Sequence, residues 1–205
     1  MNLGITSYCS ITSSGLYVNG DLISEKMDNL SFEEWSLKVY KDFEIGYSKF
    51  HKMDDLCKLA LLGGEFLLDR GNLLEEVGKD KIAVIIGNAS SSIISDTAHQ
   101  TSIEELPSPA VFVYTLPNIM IGEMCIKYKI TGENMCFEMS NFDSEFLHDY
   151  LKILFDKEGY KQCITGFVDF DIDGRYEAHL FLVSEYESER TKYQFDKDFS
   201  RLTQK

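Results

Sequence analysis

Apolar residues along this chain recur at two spacings, one typical of helices and one typical of strands. Residues 53–67, 118–129 and 146–155 carry them at helical spacing. Residues 82–87 instead form a continuous apolar run, as in a strand buried on both faces, and 135–139 alternates as a strand. Further strands are predicted at 3–11, 162–168 and 178–183. Strands that alternate with helices predict a layered α/β domain with a mixed, mainly parallel sheet flanked by helices.

Local signals mark where some elements begin, pack or end. Ser31 and Glu34 have the spacing of a capping box, so we expect a helix to start there. Gly63 and Gly64 lower the stability of their helix by about 1 kcal/mol each, which makes sense if that helix packs very closely on a neighbour. Residues 171–174 are a turn signal, and they predict a closing hairpin.

The composition excludes several kinds of partner. Lys and Arg number 20 and Asp and Glu number 34, which gives a formal net charge of −14 over 205 residues. Nucleic acids and anionic membranes bind clustered Lys and Arg, so we expect neither as a partner. The five cysteines are scattered and indicate reduced thiols, and neither a signal peptide nor a membrane-spanning apolar run is evident. We therefore expect a cytoplasmic protein.

Three patterns carry weak signals of ligand chemistry. The four histidines share no spacing of metal ligands. Residues 169–174 imitate the start of an EF-hand loop, but Leu180 stands at its twelfth position. A hairpin tip with three solvated carboxylates is favoured there, and a different, weak calcium loop stays open. Residues 87–92 could form an anion-binding nest, although they match no nucleotide-binding motif. We expect no metal site and no cofactor.

The stretch from 118 to 141 is the most informative part of the sequence. A helix, a turn at 131–134, the strand 135–139 and a helix that opens near Asn141, with Ser140 as its cap, predict a strand-to-helix elbow. In that geometry residue 141 sits at a helix N-terminus, where a thiol has a lowered pKa and becomes nucleophilic. The residue here is asparagine, and a carboxamide forms no thioester.

This stretch resembles the N-terminal half of β-ketoacyl synthases, which belong to the thiolase-like superfamily. In that family a helix with an N-terminal Asn leads into a turn, a strand and a nucleophilic cysteine at a helix start. Asn118, the turn 132–134, the strand 135–139 and Asn141 occupy the matching places. Residues 3–11, 52–60, 82–87 and 164–169 are similar, in order, to the family's opening strand, its Met-Asp-Arg helix start, its second strand and its Gly-Gly-Val-containing strand.

The resemblance implies a thiolase-like half-domain over residues 1–186, followed by a charged C-terminal tail at the surface, 187–205. Asn141 stands where the family has its nucleophile, and the second half with its paired histidines is missing. The chain is therefore expected to carry no catalytic residue. It is expected to act as a non-catalytic accessory or chain-length-factor-type partner in fatty-acid or polyketide-type biosynthesis.

The resemblance also implies a dimer. In the family the strand that matches 135–139 pairs with its mate at a dimer interface, and an unpaired strand of this kind is a liability unless it is covered. The partner would be a second copy or an active ketosynthase, and an acyl carrier protein would be reached through that partner. The expected interface residues, with helix 118–129 beside them, are Asn118, Met135, Phe137 and Met139.

Two alternatives stay open. The first is an enzyme, either a split synthase completed by a second chain or an atypical acyltransferase whose nucleophile is Cys136 or a serine of 90–92. The second is a stand-alone acyl-binding scaffold, which would bind ligands reversibly without any ketosynthase partner.

Overall fold

A computed structural model describes residues 2–74, 77–103, 108–186 and 190–203. Within these ranges the helices are too short or too polar to cross a lipid bilayer. The strands are β1 (Leu3–Thr12), β2 (Gly15–Val18), β3 (Asp21–Glu25), β4 (Ile82–Asn88), β5 (Asn134–Glu138), β6 (Gln162–Phe170), β7 (Tyr176–Glu185) and β8 (Tyr193–Gln194). The α-helices are α1 (Phe32–Asp42), α2 (Asp55–Leu67), α3 (Ile93–Ile103), α4 (Pro109–Phe112), α5 (Ile119–Tyr128) and α6 (Ser144–Ile153).

The strands form one mixed sheet in the order β3-β2-β1-β7-β6-β4-β5, and β8 also pairs with β1. The layered α/β architecture, the mixed sheet and the closing hairpin are confirmed. Parallel pairing is confined to β5, β4 and β6. The other ladders are antiparallel because they include hairpins, such as the one that returns β6 to β7 through a tight turn. β5 lies at one edge of the sheet.

Two apolar clusters cover the two faces of this sheet. The first packs β-strand side chains against α1, α2 and α5, and the second packs them against α6 and the C-terminal residues. Every residue of β4 is buried, as predicted from its continuous apolar run: Val84 belongs to the first cluster and Ile85 to the second. The predicted two-sided burial of this strand is thus confirmed.

Local signals in α1 and α2 are confirmed as well. Ser31 caps α1, accepting from the Glu34 N–H while Glu34 accepts from the Ser31 N–H. In α2, a Cβ added at Gly63 would lie 2.9 Å from a methyl carbon of Leu180, and one added at Gly64 would lie 2.8 Å from Met124. The two glycines therefore let α2 approach β7 and α5 more closely than side chains would allow.

The C-terminal stretch is more ordered than the expected surface tail. Residues 187–189 lie outside the described ranges, but β8 pairs with β1, and Phe195 and Phe199 are buried in the second cluster. The two rings are four residues apart, and this spacing lets both reach the same core. The charged residues between them make the segment look like a solvated tail in the sequence. The expectation of a surface tail is therefore wrong for Phe195 and Phe199, although Lys197 and Asp198 between them are exposed. The division of the chain at 186 stays a prediction.

Candidate functional site

The candidate site lies where β4, β5 and β6 end. Residues 139–143, here called the Asn141 turn, connect β5 to α6, and Asn141 is exposed. The helix begins later than predicted because Asp143, not Ser140, is its N-cap: the Asp143 carboxylate accepts from the Phe146 N–H at 2.9 Å. Asn141 thus precedes the helix cap by two positions and does not sit at the helix N-terminus. A side chain at 141 therefore feels less of the helix dipole than it would at the helix N-terminus, where the predicted elbow had placed it.

Two residues, Met139 and Phe142, hold the Asn141 turn on the sheet. The Met139 N–H donates to the Asn88 carbonyl at 2.9 Å, and the Met139 sulfur packs directly over Gly87. The Phe142 ring lies nearly parallel to Phe167 and to His179, with ring centroids 6.0 Å and 6.2 Å apart. Asn141 is therefore presented outward between two anchored neighbours, beside a shallow depression of about 610 Å³.

Three polar side chains form a chain of hydrogen bonds that the sequence did not reveal, and the middle one, His179, stacks on Phe142. Ser10 Oγ lies 2.6 Å from His179 Nδ1, and His179 Nε2 lies 3.1 Å from Glu177 Oε2. The bond to His179 lowers the pKa of Glu177. Ser10 and His179 are more than nine-tenths buried. They are 169 positions apart and meet only through the register of β1 and β7.

The predicted anion-binding nest exists, and a carboxylate of the chain itself occupies it. Asp169 Oδ1 accepts from the Ala89 N–H at 3.1 Å and the Ser90 N–H at 2.7 Å. The Ser90 hydroxyl donates to Asp169 Oδ2 at 2.8 Å, and the Asn88 side-chain amide donates to Oδ1 at 3.1 Å. The nest therefore joins the carboxyl ends of β4 and β6, and these four donors already have an acceptor.

The carboxylates of 169–174 do not converge as a calcium loop would require. Asp169 faces the nest, whereas Asp171 and Asp173 accept from Arg175 at the hairpin tip, at 2.6 Å and 2.8 Å. The expectation of three solvated carboxylates is wrong for Asp169, because its partner donors lie across the sheet. Among the described residues, no three His, Cys, Asp or Glu side chains are placed to hold a metal ion.

Replacing Asp169 with alanine is expected to lower the free energy of unfolding by about 3 kcal/mol, because four donors lose a charged acceptor. The matched control is Asp173→Ala at the exposed hairpin tip, where the loss should stay below about 1 kcal/mol. Urea denaturation followed by the fluorescence of the buried Trp35 measures both values. Equal losses in the two variants would contradict the role assigned to the nest.

The cysteines carry no sign of activation. Burial raises the pKa of Cys136 and of Cys125 to about 11. It also raises the pKa of the three remaining thiols, Cys9, Cys57 and Cys163. A thiolate is the nucleophilic form, so each of the five is a poor nucleophile at neutral pH. Ser90, one of the alternative nucleophiles, donates its hydroxyl to Asp169.

Of the four expected interface residues, Met135, Phe137 and Met139 follow one face of β5, and Asn118 lies apart from them at the start of α5. Phe137 packs edge-to-face on Phe146 and Tyr150 of α6, with ring centroids 4.8 Å and 5.0 Å away. Met135 is 40% exposed, and Asn118 precedes α5 without a capping hydrogen bond. Helix α5 packs with Cys136 in the first cluster, on the face opposite Phe137 and Met139. Helix α5 therefore contacts β5 from the face opposite Phe137 and Met139, because strand side chains alternate between faces, and the interface itself stays a prediction.

The backbone of β5 offers a free edge. Glu133 C=O accepts from Val84 N–H and Met139 N–H donates to Asn88 C=O, so the odd-numbered residues pair with β4. In a parallel ladder the alternate residues then turn their N–H and C=O groups outward. These are Asn134, Cys136 and Glu138, and no strand in the described part of the chain pairs with them.

Comparison with known proteins identifies the fold. No protein-family model and no curated protein matches the sequence. The ishigamide ketosynthase/chain length factor matches with a TM-score of 0.67 at 16% identity, over 94% of this chain and 64% of that chain. A ketosynthase (ApeO) in complex with its chain length factor (ApeC) from Xenorhabdus doucetiae has a TM-score of 0.56 at 15% identity, over 92% and 81%.

A third structure, AntDE:AntF, is a type II PKS acyl-carrier protein in complex with its ketosynthase bound to the hexaketide. It matches with a TM-score of 0.63 at 11% identity, over 90% of this chain and 62% of that chain. The chain thus has the fold of ketosynthase and chain-length-factor structures, as the sequence resemblance implied. It spans somewhat less than two thirds of the first and third of these chains.

Proposed function

We propose that this chain is a non-catalytic, ketosynthase-like subunit that acts by pairing with a second ketosynthase-like chain, in the manner of a chain length factor. Asn141 is the observation that carries the proposal. It comes just after β5, at the position where the family that this chain resembles has its cysteine. Its carboxamide cannot hold an acyl group as a thioester. The fold shared with ketosynthase and chain-length-factor structures supports a role in polyketide-type biosynthesis.

The free edge of β5 supports the pairing. Outward N–H and C=O groups on a strand edge are a template for a further strand, and native proteins usually cover or blunt such an edge. The partner is a second copy of this chain or an active ketosynthase. Two of the matched structures are complexes of a ketosynthase, one with a chain length factor and one with an acyl-carrier protein. An acyl carrier protein is reached through the partner, because a chain with a net charge of −14 is a poor dock for acidic proteins.

The competing function is a serine acyltransferase. The observation that favours it is the hydrogen-bonded series Ser10, His179 and Glu177, whose residue types match a nucleophile, a base and an orienting acid. Burial opposes it, because Ser10 is only 6% exposed and the fold encloses the hydroxyl that an acyl thioester would have to reach. We therefore assign the series a structural role: it joins β1 to β7 and gives the buried Ser10 and His179 side chains hydrogen-bond partners.

Incubation with octanoyl-CoA followed by intact-mass spectrometry tests the absence of catalysis. We expect no covalent acyl adduct on the wild-type chain, because Asn141 forms none and burial raises the pKa of Cys136 to about 11. Cys136→Ala and Ser10→Ala are the controls that assign any adduct. An adduct lost only in Cys136→Ala would support the atypical acyltransferase, and one lost only in Ser10→Ala would support the serine enzyme. Either result contradicts the non-catalytic proposal.

A further inference from the structure

A cavity of about 1040 Å³ lies at the end of the sheet opposite the Asn141 turn. It opens where β6 begins, at Gln162, and where β7 ends, at Ser184 and Glu185. An irregularity in β1 between Ile5 and Ser7 adjoins it, and such a bulge bends a strand away from its partner. The volume is at the upper end of the range of small-molecule sites, about 300–1,000 Å³.

The interior of this cavity is part apolar and part polar. Phe66 and Leu73 are half-buried apolar residues on its lining, and Ser7 and Gln162 are buried polar ones. The Gln162 amide donates to the Leu73 carbonyl at 3.0 Å, while its Oε1 has no partner among the described residues. Native interiors leave few buried acceptors unpaired, so the chain does not complete its own packing at this end of the sheet.

Cations are concentrated around the cavity. Four of the 20 Lys and Arg residues line it, against three of the 34 Asp and Glu residues. Arg70 is exposed, and its guanidinium donates to the Phe43 carbonyl at 3.1 Å, which fixes its position and leaves other donors available. The four cations are Arg70, Lys161, Arg190 and Lys192.

The acidic residues on the lining are largely compensated by other groups. Glu65 is paired with Lys127 at 2.7 Å, and Glu185 is paired with Lys161 at 2.6 Å. Asp69 accepts from the neutral Asn72 amide at 3.1 Å and keeps its charge. The described lining therefore carries a small excess of positive charge on a strongly acidic chain, and such an excess attracts anions.

We propose that this cavity binds a small organic anion with an apolar body. The apolar part lies against Phe66 and Leu73, and the carboxylate or phosphate head lies at the rim beside Arg70 and Lys192. This proposal does not rest on the proposed function, because the cavity is distant from both the Asn141 turn and the free edge of β5.

Isothermal titration calorimetry with two probes of equal chain length and opposite charge tests the site. Decanoate is expected to bind saturably at one site, and decyltrimethylammonium at least about tenfold more weakly. Lys192→Gln and Arg70→Gln should each weaken decanoate binding about fivefold, because each removes one charged donor from the rim. Lys157→Gln, a change at an exposed position outside the lining, is the matched control and should have no effect.

Three results would overturn the proposal. The first is an absence of saturable decanoate binding. The second is equal affinity for decanoate and decyltrimethylammonium. The third is that Lys192→Gln and Arg70→Gln bind decanoate as tightly as Lys157→Gln does. Arg70→Gln changes an exposed residue with a left-handed backbone conformation, so Lys192→Gln serves as the second variant in case Arg70→Gln folds poorly. The oligomeric state does not enter the readout, so failure here leaves the proposed function untouched.

Discussion

Gly166→Ala is expected to lower the free energy of unfolding by about 4 kcal/mol or more. Gly166 lies in β6 between β4 and β7, with a φ of +144° that L side chains rarely adopt. A Cβ at this position would lie 1.9 Å from the His179 carbonyl oxygen, which is backbone and has no room to move. Whole domains are stable by about 5–15 kcal/mol, so this single methyl group removes much of the total.

Gly122→Ala is the matched control for this change. Gly122 lies within α5, and an added Cβ would meet nothing within 4 Å. The same substitution there should raise stability by about 0.5–1 kcal/mol, because alanine favours the helix more than glycine does. Urea denaturation followed by Trp35 fluorescence compares both variants with the wild type. A free energy of unfolding within about 1 kcal/mol of the wild-type value for Gly166→Ala would show that β6 and β7 do not approach each other this closely.

Cys136→Pro is expected to raise the dissociation constant of the proposed dimer at least about 100-fold. Proline removes the N–H that Cys136 directs away from the sheet, and a symmetric dimer loses one such donor from each chain. The ladder with β4 is spared, because it uses the odd-numbered residues of this strand. Sedimentation velocity over a range of concentrations measures the constant.

Cys136→Ala separates the backbone effect from the loss of the thiol. It removes the same sulfur but keeps the outward N–H. The dissociation constant of its dimer should therefore stay within about threefold of the wild-type value. Phe137→Pro serves as a second comparison, since it removes a donor directed at β4 and is expected to destabilise the fold itself. Equal dissociation constants for Cys136→Pro and Cys136→Ala would mean that the outer edge of β5 is not the contact.

Features that depend on neighbouring residues were predictable from the sequence. The apolar run of β4, the capping box at Ser31 and the close packing at Gly63 each follow from a few adjacent side chains and their spacing. The fold class followed from the alternation of such segments, and the ordered series of degenerate motifs pointed to the ketosynthase fold. Local physical chemistry therefore defines most of the elements of this chain.

Features that depend on distant residues were not predictable. The start of α6 was misplaced because Ser140 and Asp143 are both good caps, and only the path of the turn over Gly87 decides between them. Asp169 fills the nest at Ala89 and Ser90 from about 80 positions away, so neither motif reveals the other. Charged neighbours likewise concealed the buried rings of the C-terminal stretch.

The molar mass of the wild-type chain at micromolar concentration, measured by light scattering, tests the central claim most directly. The claim is that this chain works by pairing through the free edge of β5, and that edge is present in every copy. We expect a mass near twice that of the 23.5 kDa chain, which falls toward that of one chain in Cys136→Pro. A clean monomer of the wild-type chain at that concentration, both alone and mixed with an active ketosynthase, would contradict the claim.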